Sequence, residues 1–558
     1  MNNESNNHAS TESPSTDTAA PATKGKRLIT RRKLLASIGL AGVAAASAGL
    51  WQGERVSTAF AKNSSVTDSV YGDGEKKHCT GFAGSRISTT KFGVPVGDVS
   101  AVAKLQELID KEVPIWIDGD HLIDSSLVLR NTDMVGPGKL RIVSDANFQV
   151  TQGSFVFADS AIAMAGGLGQ YKVNLQFRAE FRNSAAGKPH TPFRFIGLTD
   201  STIHLNCECW GSGDVTQTNL PDFYFFNNRV SIRGRYVVHQ RIPGQSLGGM
   251  WVRDVYLGSD TSRRSSSVIV EDETYIENDG ADEALSFFNP NTGHYQNCGV
   301  RAAVLRGRRI GLSFLNFSGN SLSASDVSGF AHNTVVIVDE LGQGQGAVKA
   351  DYTAPDIAGV QVFINGIDDV TTGATFASAF RNSNTRSDAA YPQLYNCKAY
   401  LNLNSQPTRE LRAFDNPMHI TNCEYWKLNT ASFNYGVISK GSGTVNGGRY
   451  TGALTRDIEN VSSAANCTPA THNNVKYASL RNRKGETVIT TDANGKAQIQ
   501  HSIFAVPTFK SAVLINAPAR AVHLLSADQN YLYIQVTNPS TGNPDPINPF
   551  RVAWHVDG

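Results

Sequence analysis

Cysteine is scarce in this chain and never placed where chemistry would use it. There are seven among 558 residues, with no Cys-x-x-Cys pair and no histidine at ligand spacing, so neither a disulfide framework nor a metal site is indicated. Methionine is rarer still, at five, and charged residues reach only 18%, which with 50 glycines excludes a helical bundle. A hydrophobic fraction of 40% excludes a disordered chain. Charge of one sign is missing as well: the first 61 residues hold seven Lys and Arg against four Asp and Glu, leaving 44 basic and 45 acidic residues elsewhere, a net of −1. A polyphosphate-binding surface is thereby excluded, and with it a nucleic-acid partner. No cofactor is expected. What remains is a soluble, β-rich chain, too long for one ordinary compact domain unless the fold grows by repetition.

The first 61 residues differ from the rest. A Ser/Thr/Asn/Ala-rich stretch runs to about Thr23 and cannot bury enough apolar surface to fold. Thr30-Arg31-Arg32-Lys33-Leu34-Leu35 then leads into an uncharged run from Ala36 to Leu50 and resembles a twin-arginine export signal. About fifteen residues are too few for the ~20 of a membrane span, so no stable span is expected, and Ala59-Phe60-Ala61 offers a signal peptidase the small residues that it reads. Two readings stay open: cleavage after Ala61, or an uncleaved attachment segment. Residues 62–95 read as an adapter or lead-in.

Residues 96–478 change period. Ser100 is placed to cap a helix running to Lys111, with Val102, Leu105, Leu108 and Ile109 on one face and Pro114 beyond its end. Short β segments separated by polar turns follow, among them Ile115-Trp116-Ile117, Leu127-Val128-Leu129, 202–210, 230–238, 335–338 and 418–425, spaced as coils of a solenoid with loops inserted. Asn precedes Cys in five of the seven cases, at Cys207, Cys298, Cys397, Cys423 and Cys467. In a solenoid, Asn takes the left-handed turn conformation while the small thiol packs inward.

The order of Gly97-Asp98, the helix, Ile115-Trp116-Ile117-Asp118-Gly119, Leu127-Val128-Leu129 and the Gly136-Pro137-Gly138 turn resembles the opening of right-handed parallel β-helix proteins of the pectate-lyase-like type, as found in phage and prophage tailspikes. The resemblance implies an all-β fold, a right-handed parallel β-helix with a small β-sandwich-like domain after it. It implies a polysaccharide as partner, a homotrimer, and attachment to a phage tail or baseplate. Residues 479–558 look like that end domain: 487–491 and 497–503 read as a hairpin about the turn Asp492-Ala493-Asn494-Gly495, followed by pairs at 511–515 and 531–537 and a closing segment 550–556.

Chemistry concentrates in Glu271 to Glu283, seven acids in thirteen residues. Asp279-Gly280 reads as a turn, with Asp282 and Glu283 opening the next strand. Aligning Trp251-Val252-Arg253-Asp254 with Ile269-Val270-Glu271-Asp272 would stack Asp254 beside Asp272 and Arg253 beside Glu271. Neighbouring carboxyls raise one proton affinity, which a general acid beside a base requires, and glycoside hydrolysis uses such a pair. The expected catalytic residues are Asp282, Glu283, Asp279, Asp254 and Asp272. Trp210, Trp251, Tyr256, Arg253, His294 and Tyr295 are the expected sugar contacts, because sugars stack on aromatic faces. A lyase would need a base, for which Tyr275, His294 and Tyr295 are candidates, and acids paired inertly with Arg263, Arg264, Arg301 and Arg306 are the plain alternative. The leading reading is a tailspike-like depolymerase of a bacterial surface or capsular glycan. A non-catalytic receptor-binding spike or adhesin, and a free secreted polysaccharide-degrading enzyme, remain the alternatives.

Overall fold

The structure, a computed structural model, describes residues 85–557 except 145–153, 159–170, 184–190, 212–219, 240–248, 254–264, 279–282, 290–294, 317–328, 369–375, 384–390, 417, 440–442, 470–471, 474–477, 481–482, 502–505, 508, 518, 529 and 547. The chain divides after Cys79 into two units, and every described residue belongs to the second. The double-arginine segment, the putative-signal cleavage point and the carboxylates Asp254, Asp279 and Asp282 lie outside the described residues, as do Tyr256 and His294.

Short apolar strands between polar turns have one way to bury themselves here, by stacking coil on coil. Each coil gives one strand to each of three parallel ladders. Ser265–Val270, Tyr275–Asn278 and Glu283–Asn289 form one coil, and Cys298–Arg301, Val304–Gly307 and Ile310–Asn316 form the next. Ile269 pairs with Gly299, Tyr275 with Val304 and Leu285 with Leu312, all in parallel. The result is a right-handed parallel β-helix. In the opening coils the first two ladders share single long strands, Thr132–Ser144, Val173–Asn183, Thr199–Gly211 and Asn228–Val238. Two of these bend at Gly136 and Gly234, whose φ angles of 152° and 106° a side chain resists. The ladder reaches back to Ile87–Ser88, which pairs with Ile115–Trp116, so the first rung precedes residue 96.

Inside the tube, register makes ring stacks. Phe195, Phe223, Val252, Phe287 and Phe314 follow one another down the third ladder. Phe287 and Phe314 lie 5.2 Å apart and nearly parallel, and Phe380 and Phe414 repeat this at 5.1 Å. Burial of each such side chain contributes roughly 1.5–3 kcal/mol.

The corner between the first and second ladders explains the Asn-Cys pairs. Asn396, Asn422 and Asn466 have φ near +52° there, in line with Asn333, Gly359 and Gly447, and the thiols of Cys397, Cys423 and Cys467 point into the core. Each corner N–H bonds the coil beyond it, Asn396 to the Thr421 carbonyl and Asn422 to that of Asn446. A Cβ at Gly447 would run into the Asn422 amide, so glycine there makes room for the neighbouring asparagine. Two pairs depart from the expectation. Asn297 is left-handed but sits earlier, within the first ladder, in line with Asp200, Arg229 and Ser267, and Asn206 is mid-strand between Arg178 and Arg235. All six described cysteines are free thiols.

Three local expectations are corrected. The helix spans Val102–Asp110 with Ala101 at its N-cap, because the Ser100 hydroxyl is already committed to Asp124 at 2.6 Å. Residues 418–425 form two strands, His419–Thr421 and Glu424–Lys427, split by the corner at Asn422. The turn at Asp492 forms, with the Gly495 N–H on the Asp492 carbonyl, but its flanking strands do not pair with each other. Arg483–Thr490 pairs with Pro549–Asp557, and Lys496–Gln500 with Tyr531–Thr537. Ile489 and Ile499 are both buried, so the chain arches from one three-stranded antiparallel sheet into the other instead of folding back as a hairpin.

Candidate functional site

Alternation along the second ladder sends every other side chain outward, and parallel register aligns those side chains from coil to coil. The outward row begins with Asp120, Lys139 and Arg141. Lys139 lies 2.9 Å from Glu180 and 3.3 Å from Asp120. Burial opposes the Glu180 charge, and Lys139 with Arg182 outweighs it, leaving this carboxyl below its ordinary range. Trp210 follows, half-buried, its indole stacked 4.7 Å from the His239 ring with the Arg182 guanidinium 5.0 Å above it. Glu208 touches His239 at 3.2 Å and Arg235 at 3.4 Å.

Arg235 then covers the Tyr275 ring at 5.4 Å, the Tyr275 hydroxyl donates to Glu277 at 2.9 Å, and Arg306 bridges Glu277 at 3.1 Å and Asp339 at 2.8 Å. The row is therefore one connected system from Trp210 to Asp339. Burial works against the Arg306 cation, but Asp339 and Glu277 prevail and raise its proton affinity above the ordinary value. Burial, reinforced by Glu277, likewise pushes the Tyr275 phenol above its usual range, so it holds its proton at neutral pH and makes a poor base. Tyr295 is buried at 0% exposure and has the same problem for the same reason, burial. Of the acid-rich segment, then, Glu277 is engaged by Arg306, as the plain alternative expects.

The other expected site residues are distributed. Glu283 is half-buried at the start of the third ladder, where its carbonyl accepts from the Asn278 amide at 2.7 Å, just past the end of the outward row. Asp272 is exposed, 3.7 Å from Arg233. The expected stacking of Arg253 beside Glu271 is overturned. Arg253 lies in the third ladder beside Phe288, whereas Ile269 pairs with Ser231 and Gly299 in the first. An 18-residue offset matched like residues, but a coil here is longer, closing in 19 residues at its tightest and 41 in the N-terminal coils.

Trp251 and Arg253 do come together, away from Trp210. On the outer face of the third ladder Arg253 lies 4.5 Å from the Trp251 ring and 4.6 Å from that of Tyr224, and Arg194 lies 4.7 Å from Tyr224. Beneath them Asp222, fully buried, accepts from Arg253 at 2.9 Å and 2.5 Å. Sequence reading missed Asp222, Glu208, His239 and Asp339. Each partner lies a coil away, and the variable coil length hides the pairing. Among the described residues no group of three or more His, Cys, Asp or Glu is placed to hold a metal, and no helix is long and apolar enough to cross a membrane.

No family model matches the chain, and no curated protein matches it. Solved structures do. The chain is similar to phage tailspike proteins. The tailspike of E. coli bacteriophage HK620 in complex with a pentasaccharide aligns over 85% of this chain and 93% of its own, at 11% identity and a TM-score of 0.45. A mutant of that tailspike with a hexasaccharide gives 12% identity and 0.43 over the same share of this chain. The tailspike gp49 of Pseudomonas phage LKA1 aligns over 84% of this chain and 99% of its own, at 10% identity and 0.35. The fold assignment itself rests on the strand ladders.

Proposed function

We propose that the protein binds a bacterial surface polysaccharide along the outer face of the second ladder and cleaves it with Asp282 and Glu283 as acid and base. The observation that carries this reading is the connected row from Trp210 to Asp339, which offers an indole, guanidinium groups and carboxylates at coil spacing, ~5 Å, over a length that several sugar rings would fill. Asp282-Glu283 joins the end of that row to the third ladder. The partner reading extends to assembly. The outer face of the sheet formed by Arg483–Thr490, Pro549–Asp557 and Phe509–Leu514 carries Val488, Phe509 and Val513, all at least half exposed, and a homotrimer would cover them. Such a spike serves on a virion tail, or outside the cell if the double-arginine segment is used for export.

The test is a panel of capsular and surface polysaccharides, scored for binding and for new reducing ends. Asp282→Asn and Glu283→Gln should keep the fold and glycan binding while cleavage falls by about 10² to 10⁴. Full cleavage by both variants would move the chemistry elsewhere. A second reading, a receptor-binding spike without catalysis, is favoured by Arg306, which holds both Glu277 and Asp339 in ion pairs. Binding with no new reducing ends from the wild type would select it.

A further inference from the structure

The outer face of the first ladder carries a group of side chains that the reading above does not use. Arg301, Phe330, His332 and Asp356 come from three successive coils and all face outward. Register puts Arg301 beside His332 and Phe330 beside Asp356. Gly299, opposite Phe330, leaves the space that the ring occupies, since a Cβ there would strike it. The His332 ring lies 5.0 Å from the Phe330 ring, and the Arg301 guanidinium 4.9 Å from it, so Phe330 is flanked by both. Arg301 is exposed, and no described carboxylate lies within ion-pair distance of it.

The hydrogen bond between His332 and Asp356 fixes which nitrogen can act. His332 Nε2 lies 3.2 Å from Asp356 Oδ2. A carboxylate only accepts, so Nε2 carries the hydrogen and, in the neutral ring, Nδ1 carries the lone pair. The His332 side chain is 35% exposed, and no described residue bonds Nδ1. An oriented imidazole with a free lone pair, an aromatic surface beside it and an uncompensated guanidinium about one coil away make a base and an anion receptor on one face.

We propose that these residues form an eliminating site for a uronate-containing polysaccharide. It rests on the reading of the protein as a glycan binder and adds substrate class and chemistry at a second place. Arg301 pairs with the uronate carboxylate and stabilises the charge that builds on it. His332 Nδ1 takes the proton from the carbon next to that carboxylate. The freed electron pair becomes a carbon–carbon double bond to the neighbouring ring carbon, whose bond to the glycosidic oxygen breaks. The departing oxygen takes a proton back from the imidazolium, and His332 returns to its starting form with no co-reactant consumed. Asp356 is a positioning residue that keeps the lone pair on Nδ1.

The full-length protein is incubated with polygalacturonate, alginate and hyaluronan while ultraviolet absorbance of unsaturated uronate and new reducing ends are followed together. The two should rise in step on at least one of them. His332→Ala should lower the rate by about 10² to 10⁴ with the circular dichroism spectrum unchanged, and Arg301→Ala should raise KM. Asp356→Asn should lower kcat with KM nearly unchanged, a split that a merely structural role would not give. Reducing ends without unsaturation, or undiminished unsaturation in His332→Ala, overturn the inference and leave polysaccharide cleavage elsewhere intact. Binding of these glycans with no new ends overturns it too and selects the non-catalytic spike, whereas no binding of any polysaccharide defeats both readings.

Discussion

Inside the coil stack, Phe287, Phe314, Phe380 and Phe414 have no exposed surface, whereas in the terminal sheets Val488, Phe509 and Val513 are 69%, 50% and 63% exposed. A coil strand has a parallel neighbour on either side and a closed tube behind it, so its inward residues are sealed by the fold itself. Three strands in a sheet can bury one face against the opposing sheet and leave the other bare. The comparison teaches that stability in the stack is internal to the chain, while the apolar outer face at the end is a matter of assembly.

The largest expected effect breaks the stack. Phe314→Ala removes a ring sealed between coils and should cost about 3–5 kcal/mol, read from the denaturant midpoint of the helix. A cost below about 1 kcal/mol would show that the coils do not depend on their ring stacks. Arg306→Ala leaves Glu277 and Asp339 side by side without their shared cation. At the side-chain exposures of 20% and 27% a loss of about 2 kcal/mol is expected, from thermal denaturation at neutral pH and low salt, shrinking as salt is raised.

A smaller effect sharpens the comparison within the stack. Asn396→Ala must hold φ of +52° and should cost about 1 kcal/mol, while Asn206→Ala, in a strand, should change stability by no more than about 0.5 kcal/mol. Equal effects at both would show that the corner conformation does not set the cost. At the other end, Val513→Asp should leave the melting of the helix within about 0.5 kcal/mol of the parent and yet lower the mass seen by light scattering, a monomer replacing the homotrimer.

The smallest effect is a pH dependence at the first rung. Burial opposes the Asp118 charge, but hydrogen bonds from Ser88, the Thr90 N–H and Thr89 prevail and lower its carboxyl from 3.8 to about 2. A depressed carboxyl stabilises the fold above its unfolded value and loses that contribution as the pH falls through the folded one. Amide exchange at Thr90 and Lys91 should therefore stay slow above 3.8 and accelerate, relative to intrinsic rates, as pH drops toward 2. Asp118→Asn should abolish that dependence.

The candidate site was legible only in outline. Trp210, Trp251 and Arg253 were singled out as outward, and each lies on an outer face, yet on two different ladders. Glu277 belonged to an obvious acidic run, but its partners Arg306 and Asp339 lie 29 residues away and beyond, and Asp356 lies 24 from His332. No local pattern marks such pairs, because loops of changing length separate the strands that carry them.

By itself the sequence determined the strands, the tube and its corners. Alternation and turn residues are properties of a few consecutive amino acids, and Asn before an inward Cys marks a left-handed corner wherever the chain turns there, at Asn396, Asn422 and Asn466. Only the tertiary structure decided which strands are neighbours. That choice set Arg253 apart from Glu271, sent the two arms of the Asp492 turn into different sheets, and brought His332 to Asp356. The physical reason is that register in a coil stack is selected by the fit of inward side chains over the whole rung, a sum over residues far apart in the chain, while the outward groups simply follow where that packing puts them.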